Sequence, residues 1–213
     1  FLKTLPVEHY QNGLAEVYKI ALINNKTFWN SLQIGKLTEL ELIKKAITLK
    51  QNIVNKDPFE KGLRKILNFG HTIAHAIEMF YVKNNLFILH GYAVVIGMIV
   101  ETHIAFQKKL ISKDTLNEVV TTLVSKFTIE ITLKLNYLDL KPYLIQDKKN
   151  KNGINEYPFH IESLNISSLN INNSNNSKEV GEELTRNTND EIIENSLFYK
   201  KNINVFNEQP SHN

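Results

Sequence analysis

The sequence predicts an all-α helical domain over residues 1–163, followed by a low-complexity tail over 164–213. Three observations carry this reading. Apolar residues recur at intervals of three and four through most of the first part. Capping residues stand where those patterns begin. Near residue 164 the chain turns to Asn, Ser and charge, as in LNISSLNINNSNNSKEVGEELTRNTNDEIIENS. Such a segment buries too little apolar surface to offset its ordering entropy, so disorder or a long insertion is expected there.

The elements follow in order. Pro6 opens a helix, because its missing N–H needs no partner in a first turn. Leu14, Val17, Tyr18, Ala21 and Leu22 then share one face of a run reaching about Asn24. Gly13 costs that helix roughly 1 kcal/mol relative to Ala, which points to close packing or a break. Thr38 and Glu41 form a capping-box pair, and their helix should end before Asp57-Pro58. Another helical pattern covers 60–82. His90 to about Leu110 is apolar enough to be a central helix. Ser112 caps a helix carrying Leu116, Val119, Val120, Leu123 and Val124. FTIEITL at 127–133 reads as a short strand or a loop before a last helix near 139–146. SLFYKKNINVF, near the end, reads as a short strand or docking segment.

Composition excludes several classes of function. With no cysteine there are no disulfides, thiolate metal sites or cysteine nucleophiles. The 25 basic and 22 acidic residues are nearly balanced and dispersed, which gives no case for nucleic acid. No apolar run approaches the ~20 residues of a membrane span, and no signal peptide is visible, so a cytoplasmic location is expected. The first residue is Phe rather than Met, so the natural protein is expected to have residues upstream.

On one continuous helix over 60–82, Arg64, Asn68, His71, His75 and Glu78 would share a face. Leu63, Ile66, Leu67, Ile73, Ile77 and Phe80 would occupy the others. Such a stripe suits a solvated surface as well as a site. Gly70 weakens the helix and lets another backbone or a ligand come close. Two histidines four apart can present zinc ligands, but the zincin pattern needs Glu directly after the first, and Thr72 stands there. A catalytic zinc takes three N/O ligands and keeps one position open. The candidates are His71, His75, His90 and a carboxylate, and spacing does not choose among them.

Four segments together carry a family resemblance. They are LPVEHYQNGLAEVYKIALINNKTFW, KQNIVNKDPFEKGLRKILNFGHTIAHAIE, LHGYAVVIGM and DKKNKNG, in that order over about 5–153. They resemble the motifs of the helical C-terminal domain of 3-dehydroquinate synthases. The resemblance implies an enzyme that converts the seven-carbon phosphorylated keto acid DAHP to 3-dehydroquinate, the second step of the shikimate route. It implies NAD for a transient oxidation that acidifies the neighbouring C–H, β-elimination of phosphate, reduction back, and ring closure by an aldol step. It also implies a divalent zinc (or cobalt) and a homodimeric whole enzyme.

Residue by residue, the resemblance makes Glu16, His71 and His90 the metal ligands. It makes His75, Lys19 and Glu60 catalytic, and Lys50, Arg64, Asn68, Lys148 and Lys149 substrate-binding. The residue types suit the chemistry. Two imidazoles and a carboxylate hold zinc as a Lewis acid, and an Arg fork fits carboxylate or phosphate. Without the family, Lys19 reads equally as an ion-pair partner of Glu16, and Lys148 and Lys149 as a solvated turn.

Departures from the family pattern are Tyr92, where a carboxylate is usual beside His90, Pro58 for an acidic residue, and Ala74 for a glycine. The Tyr92 exchange predicts weaker metal binding or activity. None of the eight glycines forms a dinucleotide-binding G-x-G-x-x-G, so the NAD-binding N-terminal domain is expected outside this chain, and the chain alone is expected to be inactive. The chain is read as a fragment of a stand-alone enzyme or of a fused multi-enzyme polypeptide. Alternatives are another sugar-phosphate cyclase of the 2-deoxy-scyllo-inosose synthase type, a metal-dependent polyol dehydrogenase, or a degenerate helical module without catalysis.

Overall fold

The computed structural model describes residues 2–127, 135 and 137–146. Among them every regular element is a helix. They form two compact units, the first ending at Phe69 and the second beginning at Gly70. The expected strand at 127–133 (beyond Phe127), the Lys148-Lys149 pair, SLFYKKNINVF and the 164–213 tail lie outside the described residues.

The first unit is built on α1 (Val7–Asn24), which packs against α2 (Lys26–Gln33), α3 (Glu39–Lys56) and a 3₁₀ segment (Leu63–Asn68). Pro6 sits at the N-cap of α1, one position earlier than expected. The helix runs unbroken through Gly13, where an added Cβ would meet nothing within 4 Å. Neither the break nor the close packing expected of that glycine is found. Asn25 ends α1 and caps α2, its side chain accepting from the Phe28 amide at 2.8 Å. The end of α1 at Asn24 agrees with the sequence, whereas no helix was expected at α2. Phe28 and Trp29 of α2 are fully buried, and Trp29 meets Tyr18 of α1 edge-on at 6.1 Å.

The capping box of α3 is present in both directions. The Thr38 hydroxyl accepts from the Glu41 amide, and the Glu41 carboxylate accepts from the Thr38 amide at 2.8 Å. Replacing such a cap with Ala costs about 1 kcal/mol. The helix stops at Asp57, as the following proline requires.

The second unit comprises α4 (His71–Lys83), α5 (His90–Gln107), α6 (Lys113–Lys126) and α7 (Tyr137–Gln146). α5 packs on α4 and α6, and α4 also packs on α7. Every residue of α5 from Ala93 to Ala105 is buried, Glu101, Thr102 and His103 included. An apolar sequence all round a helix places it in the centre of its unit. Ser112 caps α6 by accepting from the Thr115 amide at 3.1 Å, and Leu116, Val119, Val120 and Leu123 face inward.

The pattern over 60–82 is not one helix. It divides into the 3₁₀ segment of the first unit and α4 of the second, with Gly70 between them at φ +79°. A Cβ at Gly70 would lie 2.9 Å from the Val94 carbonyl oxygen and the Met98 amide nitrogen. The backbone of α5 therefore approaches this turn as closely as a glycine permits. Arg64 and Asn68 do not continue the helical face of His71, His75 and Glu78.

Candidate functional site

The first unit carries a charged cluster on α1 and α3. Glu16 and Lys19 stand one turn apart on α1. The Lys19 ammonium is 2% exposed and donates to Glu16 Oε1 at 2.7 Å. Lys50, from α3, donates to Glu16 Oε2 at 3.4 Å. Both carboxylate oxygens thus face a cation, and a buried ammonium fixes one of them. The ion pair read from the spacing of Glu16 and Lys19 is made.

The loop between α3 and the 3₁₀ segment is organised by Asp57. Its carboxylate accepts from the amides of Lys61 at 2.9 Å, Gly62 at 2.8 Å and Arg64 at 3.0 Å. Those bonds hold its carboxyl below the ordinary range, the Arg64 amide contributing most. Glu60 sits at φ +54° within this loop and accepts from Asn68 Nδ2 at 2.7 Å. Arg64 Nη1 donates to the Pro58 carbonyl at 2.9 Å. Arg64, Glu60 and Asn68 are thus fixed by one short loop. Asp57 was read from sequence only as a helix stop. The signal for more was an acidic side chain followed within a few residues by Gly62, where amides can turn back to it.

The second unit gathers the histidines. His71 is the first residue of α4 and His90 the first of α5. Their ring centroids are 5.2 Å apart. His75, one turn along α4 and exposed, lies 5.7 Å from His71 and stacks on His90 at 6.2 Å. Glu78, a further turn on, accepts from His90 Nδ1 at 3.0 Å. Tyr92 is half-buried in the first turn of α5. Gly70 and Gly97 let α4 and α5 come close enough for residues at the two helix starts to meet. Two imidazoles on adjacent helix ends, one ring anchored by a carboxylate, form a donor set that a borderline-soft cation such as zinc accepts.

Comparison with known proteins gives a consistent result. Residues 13–150 match the family model described as 3-dehydroquinate synthase C-terminal. The chain is similar to the 3-dehydroquinate synthase of Campylobacter fetus subsp. fetus (strain 82-40), 35% identical over 174 residues, covering 74% of this chain and 49% of the relative. It is similar to that of Campylobacter concisus (strain 13826), 37% identical over 155 residues, covering 71% and 44%. The chain spans about half the length of these curated relatives. Among solved structures it resembles a 2-epi-5-epi-valiolone synthase from Streptomyces hygroscopicus subsp. jinggangensis 5008 with NAD+ and Zn2+ bound. There the TM-score is 0.59 and the identity 23%, over 71% of this chain and 44% of that one, which shows a shared fold. It also resembles a 2-deoxy-scyllo-inosose synthase, with TM-score 0.53 and 25% identity, over 68% and 41%.

Proposed function

This chain belongs to the 3-dehydroquinate synthase family by its C-terminal domain, and from that premise we propose that it is the metal- and substrate-binding part of an enzyme turning DAHP into 3-dehydroquinate. The observation that carries the reading is the His71–His90 pair with Glu78 on the Nδ1 of His90. Metal-bound histidines commonly donate their second ring N–H to a carboxylate. That pattern supports His71 and His90 as ligands of zinc or cobalt, and the family resemblance adds Glu16 as the third. When bound, the cation supplies Lewis acidity toward substrate oxygen atoms.

The side chains of the chain supply the remaining functions. Lys50, Arg64 and Asn68 bind the substrate's carboxylate, hydroxyls and phosphate, and Lys148 and Lys149 bind its anionic end. Arg64 suits a planar oxyanion because its guanidinium presents paired N–H donors. His75, exposed beside the two proposed ligands, moves protons at a ring nitrogen. Glu60 and Lys19 are assigned to acid–base and electrostatic work. Residues 1–163 act as the helical domain and 164–213 as its low-complexity tail. NAD is held by the part of the relatives' length that this chain does not span. The whole enzyme is a cytoplasmic homodimer. Among the described residues no helix is long and apolar enough to cross a membrane.

The test has two parts. Zinc titration of the chain is expected to show one tight site. Steady-state assay with DAHP and NAD is expected to show no turnover until the NAD-binding part is supplied. Lack of a tight zinc site would favour a degenerate module, and turnover by the chain alone would overturn its dependence on that part. The likeness to 2-deoxy-scyllo-inosose synthase keeps one rival. A reconstituted enzyme that prefers a different sugar phosphate to DAHP would favour that rival.

A further inference from the structure

We propose that Glu78 is a positioning residue: it fixes the tautomer and orientation of His90 so that Nε2 is the nitrogen offered to a metal. This rests on the metal reading above and goes beyond it, because Glu78 is not among the ligands. Glu78 Oε1 lies 3.0 Å from His90 Nδ1. A carboxylate at that distance accepts a hydrogen bond, so the proton sits on Nδ1 and the lone pair on Nε2. The two residues come from different helices, and a helix start has freedom in how its first side chain points. Glu78 lies two turns into α4, where the helix is regular, and its side chain is 29% exposed against 44% for His90. The more sheltered, better-anchored partner therefore sets the orientation of the freer one. His71 opens the same helix that carries Glu78. The carboxylate thus ties the α5 imidazole to the element that presents the α4 imidazole.

The test uses the whole 213-residue chain. ¹⁵N-imidazole NMR on metal-free protein is expected to show His90 protonated at Nδ1. Glu78→Gln, which keeps an acceptor oxygen, is expected to retain that tautomer, and Glu78→Ala to lose the preference. In competition with a chromophoric chelator, Glu78→Ala is expected to bind zinc about 10–100-fold more weakly, with Glu78→Gln close to the wild type. An Nε2-protonated His90 in the wild type overturns the inference without any variant having to fold. So does unchanged zinc affinity in Glu78→Ala. Wild-type protein that binds no zinc overturns the metal reading itself, and the inference with it.

Discussion

The Cα of Gly97, in the middle of α5, faces the carbonyl of Gly70, and a Cβ at Gly97 would lie far inside van der Waals contact distance of that oxygen. Backbone meets backbone here, so no rotamer change can relieve an added methyl. Gly97→Ala is expected to destabilise the chain by roughly 1–3 kcal/mol through overpacking. Gly70→Ala adds the strain of φ +79° to a clash with Val94 and Met98, and should cost at least as much. Gly13→Ala, in open space within α1, should instead gain up to about 1 kcal/mol. Urea denaturation midpoints check all three.

Asp57 is expected to control the loop that holds Glu60 and Arg64. Asp57→Ala removes three acceptor contacts at once, and amide hydrogen exchange at Lys61, Gly62 and Arg64 should accelerate together. Its carboxyl is held low in the folded protein, by the Arg64 amide first and then those of Gly62 and Lys61. The stabilisation is therefore complete above the ordinary Asp range and disappears as pH falls through the lowered folded value. Protection of the same amides should fade in acid below the normal Asp range and stay flat above it. Protection unchanged in Asp57→Ala would refute the role.

The particular residues show how far the sequence could be read. Thr38, Glu41 and Ser112 announced their helices, because capping is local chemistry between residues three apart. The burial of α5 was legible from its apolar run over 93–100, but that of Glu101, Thr102 and His103 was not. The stripe from Arg64 to Glu78 was misread as one helix, since spacing is blind to a left-handed glycine. What makes Gly70 a break is α5, some 25 residues away in sequence, pressing against it. Glu78 had no assigned partner for the same reason: His90 is remote in the chain and near only after α4 and α5 pack. Patterns of three and four report one helix at a time, and a site built from several helix ends exceeds them.

Lys19 is buried against Glu16, and the two substitutions of that pair should be unequal. Glu16→Ala takes this carboxylate from a 2%-exposed ammonium. A fully buried broken pair costs about 3–5 kcal/mol, and screening at the one-third exposed Glu16 lowers the expectation to about 2–3 kcal/mol. Lys19→Met leaves Glu16 facing Lys50 and should cost less. Equal losses in denaturation would show that burial of the ammonium is not what sets the cost.

His103 should give the chain an acid-sensitive stability. It is 3% exposed, and its Nε2 has no hydrogen-bond partner among the described residues. Burial pushes the imidazole down from 6.5 to about 4. The unfolded chain takes up a proton near the upper value and the folded chain only near the lower one. Stability is then full above the upper value and declines as pH falls through the window, by about 3 kcal/mol at ~1.4 kcal/mol per pH unit. His103→Leu should flatten that decline, giving a smaller difference between denaturation midpoints at neutral and mildly acid pH. An unaltered difference would mean that other groups carry the pH dependence.

The three clustered imidazoles are nearly equidistant, so their roles must be separated by function. His71 and His90 each open a helix, and His90 has its Nδ1 committed to Glu78. His75 stands one turn along α4, exposed, with the flat of its ring toward His90. A ring stacked on a proposed ligand is poorly aimed to share its cation, because imidazole lone pairs lie in the ring plane. On the proposed assignment, His71→Ala and His90→Ala are expected to abolish tight zinc binding, each removing one of the three proposed donors. His75→Ala should keep the affinity close to wild type while lowering turnover once the NAD-binding part is supplied. Chelator competition on the three variants decides the assignment. Loss of zinc in His75→Ala with retention in His71→Ala would exchange the two roles and place the ligand one turn farther along α4.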